Sequence, residues 1–415
     1  MVRFRAPLKP IDALENREQL IEGGLMRFYI VFLLVFGSVS VGAAQRSFPI
    51  ETAILQAEFD RSGDHLFVLL TDRIQQIRTR DAVVLREFMI PGADQIPQET
   101  ISWQTFGLTA DESELVLIRP DSRFLILDLE ARPDDPDEPD DPDDQWEVIE
   151  VPPDPENRSF SNSAFDMSFY GNLADGRLVF TRGSHSVRKC TKLLLYDREL
   201  QTFVGPPVDL GGNAALALRP NDESVYAIRS SLIGKPARRF WQPEPHKTQR
   251  LKIHWNDRGY GSVTVEAEGY LPDAPVSISP DLKEYTSETG RLHAPNSGWL
   301  ISTLGSLQWN SSVIGEAIVP PKPIHRIFFK VLHGGNLMAR WSGDSELLFI
   351  GGADYSPNPS LTGVSVFTRS GHPIAVLPTG RARFVHVLAV SHDGSRVVTS
   401  AGRKVSESTL LWHLD

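Results

Sequence analysis

The sequence predicts an all-β chain folded as a single β-propeller, most simply of seven four-stranded blades. Three observations carry that expectation. One phrase recurs along the chain: a small or polar turn carrying Asp or Gly, then four to six alternating apolar residues. Its turn centres are Gly63, Asp111, Asp175, Asp222, Asp281, Gly343 and Asp393, so successive copies lie 48, 64, 47, 59, 62 and 50 residues apart. That period suits a four-stranded blade with its loops and exceeds the common helical repeats. Sustained period-3.6 patterns are almost absent, whereas the period-two alternation of half-buried strands follows the turns.

In chain order, residues 1–25 are polar and carry no pattern of their own. Met26 opens "MRFYIVFLLVFGSVSVGAAQ", with one Arg, an apolar run over 28–36 and small residues up to Ala43 and Ala44. These are the three parts of a secretory signal peptide over 26–44, with cleavage expected after Ala43 or Ala44. Met26 is then the expected start, and residues 1–25 an extension of the reading frame. The alternative is a membrane anchor over 28–44, with Arg3, Arg5, Lys9 and Arg27 on the cytoplasmic side. The run is short for a span of about 20 residues, which favours cleavage. Either way the body, residues 45–415, is expected outside the cytoplasm, periplasmic or secreted.

"RSFPIETAILQ", residues 46–56, reads as an orphan strand before the first repeat. The repeats then run "DRSGDHLFVLLT", "LTADESELVLIR", "LADGRLVFTR", "LRPNDESVYAIR", "ISPDLKEYTS", "WSGDSELLFIGG" and "VSHDGSRVVTSA". Asp-Gly, Asn-Asp and Gly-Asp supply the positive-φ positions that hairpin turns need. A third strand follows most turns: "RFLILDLE", "TKLLLYDRE", "VSVFTRSG" and "TLLWHLD". The fifth copy is poor, with only "GWLIST" as a short second strand. The chain ends on "TLLWHLD", a third strand without a fourth. Residues 46–56 are expected to pair beside it, closing the ring and covering the last open edge.

The final copies, "LMARWSGDSELLFIGG", "GVSVFTRSGHPIAVLPTG" and "RARFVHVLAVSHDGSRVVTSAGRKVSESTLLWHLD", resemble two successive WD-repeat blades. Ser391, Asp393 and Gly394 match that family's Ser-x-Asp-Gly turn, and Trp412 stands at its Trp. Phe367 takes the Trp place one blade earlier. The resemblance is clear over 336–415, fair over 57–130 and weak between. This sequence also departs from the pattern. Gly380 stands at the Gly of the family's Gly-His pair, but Arg381 replaces the His, and His413 follows Trp412 in place of Asp. No Asp stands where the buried Asp would be, so the family's His–Ser–Asp–Trp network is expected to be missing. The resemblance implies a propeller and carries over no functional residue, because the family shares a scaffold and not a site.

Composition narrows the function classes. The chain has 415 residues, 41% of them hydrophobic, enough for a large core. Its formal net charge of −11 argues against sequence-independent nucleic-acid binding, which needs a basic face. Cys190 is the single cysteine, so an intrachain disulfide and a Cys-based zinc site are both excluded. Its basic neighbours would lower a thiol pKa, but a small buried strand residue is the simpler reading. There is no His-Glu-x-x-His, no Gly-x-Ser-x-Gly elbow and no phosphate-cradling loop. No catalytic residue and no metal ligand is therefore predicted. The sequons at Asn157 and Asn310 matter only in a glycosylating host.

Two segments stand out as contact candidates. Residues 131–157 hold Asp134, Asp135, Asp137, Glu138, Asp140, Asp141, Asp143 and Asp144, broken by Pro every third residue. This reads as an extended solvated loop inserted between the second and third blades. A weak Ca²⁺ site is the sharper alternative, but the spacing is not that of a wrapping loop, and a strip for a basic partner is the third reading. Residues 234–255 are the reverse, a long loop of the fourth blade with Arg238, Arg239, Trp241, Lys247, Arg250 and Trp255. Basic and aromatic side chains together suit an anionic polymer, a headgroup or the acidic strip.

The leading expectation is an exported, non-enzymatic scaffold for protein–protein interaction, with an envelope or extracellular protein, or a surface polymer, as its partner. An exported propeller enzyme, a lactonase-like hydrolase or a lyase, is the first alternative. It requires His, Asp, Glu or Arg from several blades to converge on the channel mouth. A polymer- or ligand-binding module is the second, and exposed Trp241 and Trp255 on one face would favour it.

Overall fold

The turns explain why this chain forms hairpins. At 391–396, the Ser391 hydroxyl accepts the Arg396 N–H at 2.9 Å and donates to Asp393 Oδ1 at 2.6 Å. The same Oδ1 accepts the Ser395 N–H at 3.0 Å. Ser342 and Asp344 repeat this arrangement, as do Thr109 and Asp111. In the first turn the two residues exchange places: Asp60 accepts the His65 N–H, and Ser62 donates to Asp60. The fourth residue of each turn is left-handed: Gly63 at φ 73°, Glu112 at 61°, Ser345 at 66° and Gly394 at 71°. Small polar side chains thus satisfy backbone groups that the reversal strips from the ladder. Ser391→Ala is expected to destabilise the fold by about 1–3 kcal/mol, the effect of leaving a buried donor unsatisfied. The urea midpoint measures it; an unchanged midpoint would mean that the hydroxyl is dispensable.

The computed structural model describes residues 46–50, 54–96, 105–119, 123–130, 145–151, 167–183, 190–218, 224–232, 246–271, 275–278, 285–289, 303–310, 323–331, 337–353, 361–369, 373–382, 384–402 and 408–414. Among them the only helical element is a 3-10 turn, Ala93–Gln95. The rest is antiparallel sheet and connecting turns. β1 (Arg46–Ile50) stands apart from the strands that follow it. The next sheet runs in order through β2 (Gln56–Phe59), β3 (His65–Leu69), β4 (Arg73–Arg78) and β5 (Val83–Met89). Another four-stranded sheet holds β6 (Thr105–Leu108), β7 (Glu114–Arg119), β8 (Arg123–Asp128) and β9 (Trp146–Glu150).

A seven-stranded sheet runs from β10 (Met167–Asn172), β11 (Leu178–Gly183) and β12 (Cys190–Asp197) through β13 (Thr202–Leu218) to β14 (Ser224–Leu232), β15 (His246–Trp255) and β16 (Gly261–Leu271). β13 is 17 residues long and serves two groups: it pairs with β12 up to Ala214 and with β14 from Ala214 onward. A further four-stranded sheet holds β17 (Pro275–Ile278), β18 (Tyr285–Thr289), β19 (Thr303–Asn310) and β20 (Pro323–Val331). The fifth repeat thus has four strands, although the sequence offered one weak signal there.

The final sheet has eight strands. β21 (Leu337–Trp341), β22 (Leu347–Ala353), β23 (Leu361–Thr368) and β24 (Pro373–Ala382) make one group. β25 (Phe384–Val390), β26 (Arg396–Gly402) and β27 (Ser408–His413) make the other, and Gly352 and Ala353 join it to the first through Val385 and Phe384. β1 pairs antiparallel with β27, setting Phe48 opposite Leu411 and Ile50 opposite Thr409. The N-terminal strand therefore supplies the partner that the C-terminal strand lacks.

The sheets pack face to face, and the cores lie between them. Phe67, Leu69 and Phe88 meet Phe106, Leu117 and Leu125. Val116, Phe124 and Ile126 meet Phe180, Leu194 and Tyr196. Val364 and Val366 meet Val385, Val397 and Trp412, and the far face of that last group, with Val398 and Leu411, meets Leu66, Val68 and Ile77. Middle strands are therefore buried on both faces, which is why β7 reads "ELVLIR" without polar alternation. Within the last group Trp412 Nε1 donates to Thr399 Oγ1 at 2.8 Å.

Two expected boundaries are corrected. The acidic insertion does not reach residue 157 unbroken, nor does it separate two sheets. β9 lies inside that range, so residues 131–144 connect the third and fourth strands of one sheet. Trp146 is buried there, and its indole N–H donates to the Met89 carbonyl at 2.8 Å. The basic segment is likewise not all loop, because its second half is β15, paired on both sides.

Candidate functional site

The first strand of each four-stranded group lies beside a neighbour of the same rank. β25 adjoins β2, β2 adjoins β6, and β6 adjoins β10; β13 adjoins β17, β17 adjoins β21, and β21 adjoins β25. Turn-to-turn bonds follow the same order. The Asp344 N–H donates to the His392 carbonyl at 2.9 Å, Arg396 reaches Asp64 at 3.3 Å, the Arg61 N–H donates to Glu112, and the Ala110 N–H donates to Asn172 Oδ1 at 2.6 Å. Arg177 Nη1 then donates to the Asn256 carbonyl at 3.1 Å.

Residues of β2, β6, β10, β21 and β25, and of the turns after β2, β6, β21 and β25, line an open cavity of about 520 Å³. One repeat position sets its shape. Two residues before the first turn residue stand Glu58, Gly107, Gly171, Arg340 and Ala389, and all five line the cavity. The corresponding places in β13 and β17 are Ala217 and Ser277. Small residues at most of these positions leave space, and Glu58 and Arg340 place opposite charges in it. A Cβ at Gly107 would lie 2.8 Å from the Phe169 ring and 3.3 Å from Glu58 Oε2. The glycine thus makes room for both.

β2 is tied to β6 by side chains. The Gln56 amide donates to the Phe106 carbonyl at 2.8 Å and accepts the Phe106 N–H at 2.9 Å. Two residues on, Glu58 accepts the Leu108 N–H. Burial dominates the Glu58 carboxyl and raises its pKa from 4.5 to about 7, against the Leu108 N–H and the Arg340 charge, while the Glu112 charge adds to the rise. Glu112 is also raised, first by burial and then by Asp60, against the Arg61 N–H it accepts. His392 completes the rim beside Gly343.

The Glu58 shift has a consequence for stability. Between pH 4.5 and about 7 the folded chain holds more protons than the unfolded chain, so stability falls as pH rises through that window and is then level. Glu58→Gln keeps an acceptor for the Leu108 N–H and removes the ionisation. The variant is expected to exceed the parent at pH 8 by about 1–3 kcal/mol more than at pH 5. Urea unfolding at the two pH values measures this; an equal difference at both would contradict it.

The residues singled out from sequence lie elsewhere. Arg238, Arg239 and Trp241 lie outside the described residues, as do Asp134, Asp135, Asp137, Glu138, Asp140, Asp141, Asp143 and Asp144, and with them the suggested Ca²⁺ site. Lys247 and Arg250 are backbone positions of β15, opposite Tyr270 and Ala267; their side chains, and that of Cys190, are outside the described part. Trp255 is corrected: it is 3% exposed and packs with Leu251, Ile253 and Val208, so it is a core residue and not a surface platform. Among the described residues no three His, Cys, Asp or Glu side chains are grouped as metal ligands, and no helix is long and apolar enough to cross a membrane. The cavity residues were missed by sequence reasoning. Their signal was there: aligning the repeats by their turns puts Glu58 and Arg340 in a column otherwise of Gly, Ala and Ser.

No protein-family model matches the chain, and no curated protein sequence matches it.

Proposed function

We propose that the chain is an exported, seven-bladed, WD-repeat-like β-propeller that acts as a binding module, holding a small polar ligand in its axial cavity. Seven strands support the blade count: β2, β6, β10, the C-terminal part of β13, β17, β21 and β25 each begin a four-stranded group. The last group is completed by β1, which supports closure. The observation that carries the ligand reading is the cavity itself. Its 520 Å³ lies in the range of small-molecule sites, about 300–1,000 Å³. Charged groups from separate strands converge on it, with Phe106, Phe169 and Tyr170 among its walls.

A thermal-shift screen of residues 45–415 with polar small molecules, repeated on Arg340→Ala, tests this reading. Arg340 is exposed, so its truncation spares the core. At least one compound is expected to stabilise the parent and not the variant. Equal stabilisation of both by every active compound would exclude the cavity.

The scaffold reading is favoured by a separate observation. β5 is an edge strand, and Val83, Val84 and Leu85 are each at least 40% exposed on it. Open apolar edges of this kind are pairing surfaces. Recovery of an envelope protein by the parent, and its loss with Val84→Lys, would support the scaffold. A parallel deletion of 131–144 would test the acidic strip.

A further inference from the structure

We propose that the axial cavity takes a neutral, hydroxyl-rich molecule of the mono- or disaccharide class. This inference rests on the cavity being the ligand site and names the chemistry of what enters it.

The charges of the wall already answer one another. Its ionic side chains are Glu58, Asp60, Arg61, Glu112 and Arg340, with Tyr170 and His392 as the further titratable groups. Arg340 is engaged within the fold, and its charge acts on the Glu58 carboxyl. The Arg61 charge acts in the same way on Glu112, which also accepts the Arg61 N–H. Asp60 is taken up by its own turn: it accepts the Ser62 hydroxyl at 2.9 Å and the His65 N–H at 3.1 Å, and lies 2.9 Å from His65 Nδ1. An entering anion meets a carboxylate beside each guanidinium, and an entering cation meets a guanidinium beside each carboxylate. Either ion also gives up its own hydration. An uncharged guest disturbs no pair and has less hydration to lose.

Hydrogen bonding then decides the class. β2, β10 and β21 each pair with one neighbour only. In such a strand alternate N–H and C=O groups lie on the side away from the partner, which here is the side of the cavity. β6 offers fewer, because the N–H groups of Phe106, Leu108 and Ala110 go to Gln56, Glu58 and Asn172. The wall thus mixes backbone donors and acceptors with carboxylate oxygens and guanidinium N–H groups. A hydroxyl both donates and accepts, so a ring of adjacent hydroxyls bonds to a mixed wall without breaking its charge pairs. The volume, about 520 Å³, is that of a small-molecule site.

The test is isothermal titration of residues 45–415 with hexoses, pentoses and disaccharides at pH 8, where Glu58, with a pKa of about 7, is ionised. Each binder is compared with its uronic-acid and amino-sugar analogues. The neutral sugar is expected to bind at least tenfold more tightly than either. Arg340→Ala leaves Glu58 without its compensating charge and should move the preference at least tenfold toward the amino sugar. Glu58→Gln leaves Arg340 unbalanced and should move it toward the uronic acid. A charged analogue binding the parent as tightly as the neutral sugar would overturn the proposal, as would a preference that neither substitution moves. Failure of every sugar overturns it too. If another polar compound then binds the parent and not Arg340→Ala, the cavity stands as the ligand site without this chemistry; if none does, both readings fall together.

Discussion

A chain that begins at residue 54, and so lacks β1, is expected to lose about 3–5 kcal/mol of stability and to self-associate. β1 pairs with β27 over five residues, from Arg46 with His413 to Ile50 with Thr409. Phe48 and Ile50 pack partly buried on Ala57, Leu66 and Leu411, and the Phe48 ring meets that of His413 edge-on at 5.4 Å. Each apolar side chain of this size contributes about 1.5–3 kcal/mol when fully buried, so two partly buried ones with their ladder give the stated total. The second consequence is structural. Without β1 the outer backbone of β27 is an open edge beside the apolar face of Leu411, which is a template for another chain. Calorimetry and sedimentation of the two proteins test both parts. Equal unfolding temperatures and a monomeric truncated chain would show that β1 is an accessory strand.

Phe180→Ala is expected to cost about 3–5 kcal/mol, the range for truncating a buried aromatic. Phe180 is fully buried, with its ring centroid 4.9 Å from Phe124 and 5.7 Å from both Phe169 and Phe203. These rings bridge two facing sheets, so the cavity would open between sheets, where backbone ladders resist collapse. Tyr196 in the same cluster makes the contrast. Its ring stands edge-on to Phe124 at 5.0 Å, but among the described residues its buried hydroxyl has no hydrogen-bond partner. Tyr196→Phe is expected to leave stability unchanged or raise it by about 1 kcal/mol. Denaturant midpoints of the two variants decide the matter; a loss in Tyr196→Phe would mean that the hydroxyl is satisfied in solution.

The parts of the fold legible in the sequence are those set by local chemistry. Ser391, Asp393 and Gly394 announce a turn because side-chain hydrogen bonds spanning two and five residues close it around a left-handed glycine. "HLFVLL" and "ELVLIR" announce strands because both faces of a middle strand are buried. Composition misled where it was most unusual. The Asp-Pro run hid "WEVIE", which is β9, and the basic run hid "RLKIHW". In the latter Leu251, Ile253 and Trp255 are buried while His254 is exposed, a period-two pattern masked by its charges. The cavity was illegible for another reason. Glu58 and Arg340 are 282 positions apart, and only the superposition of repeats brings them to one level. A charged residue there looks like any surface residue until it is compared with Gly107, Gly171 and Ala389.

The proposed closed propeller rests on the pairing of β1 with β27, and amide hydrogen exchange across β27 tests it most directly. In an antiparallel strand, amides bond alternately to the two neighbours. If β1 closes the ring, the amides of 409–413 that face it exchange as slowly as those of 397–400 in β26. If those amides exchange as fast as the open-edge amides of β5, while their neighbours facing β26 stay protected, the ring is open at β27.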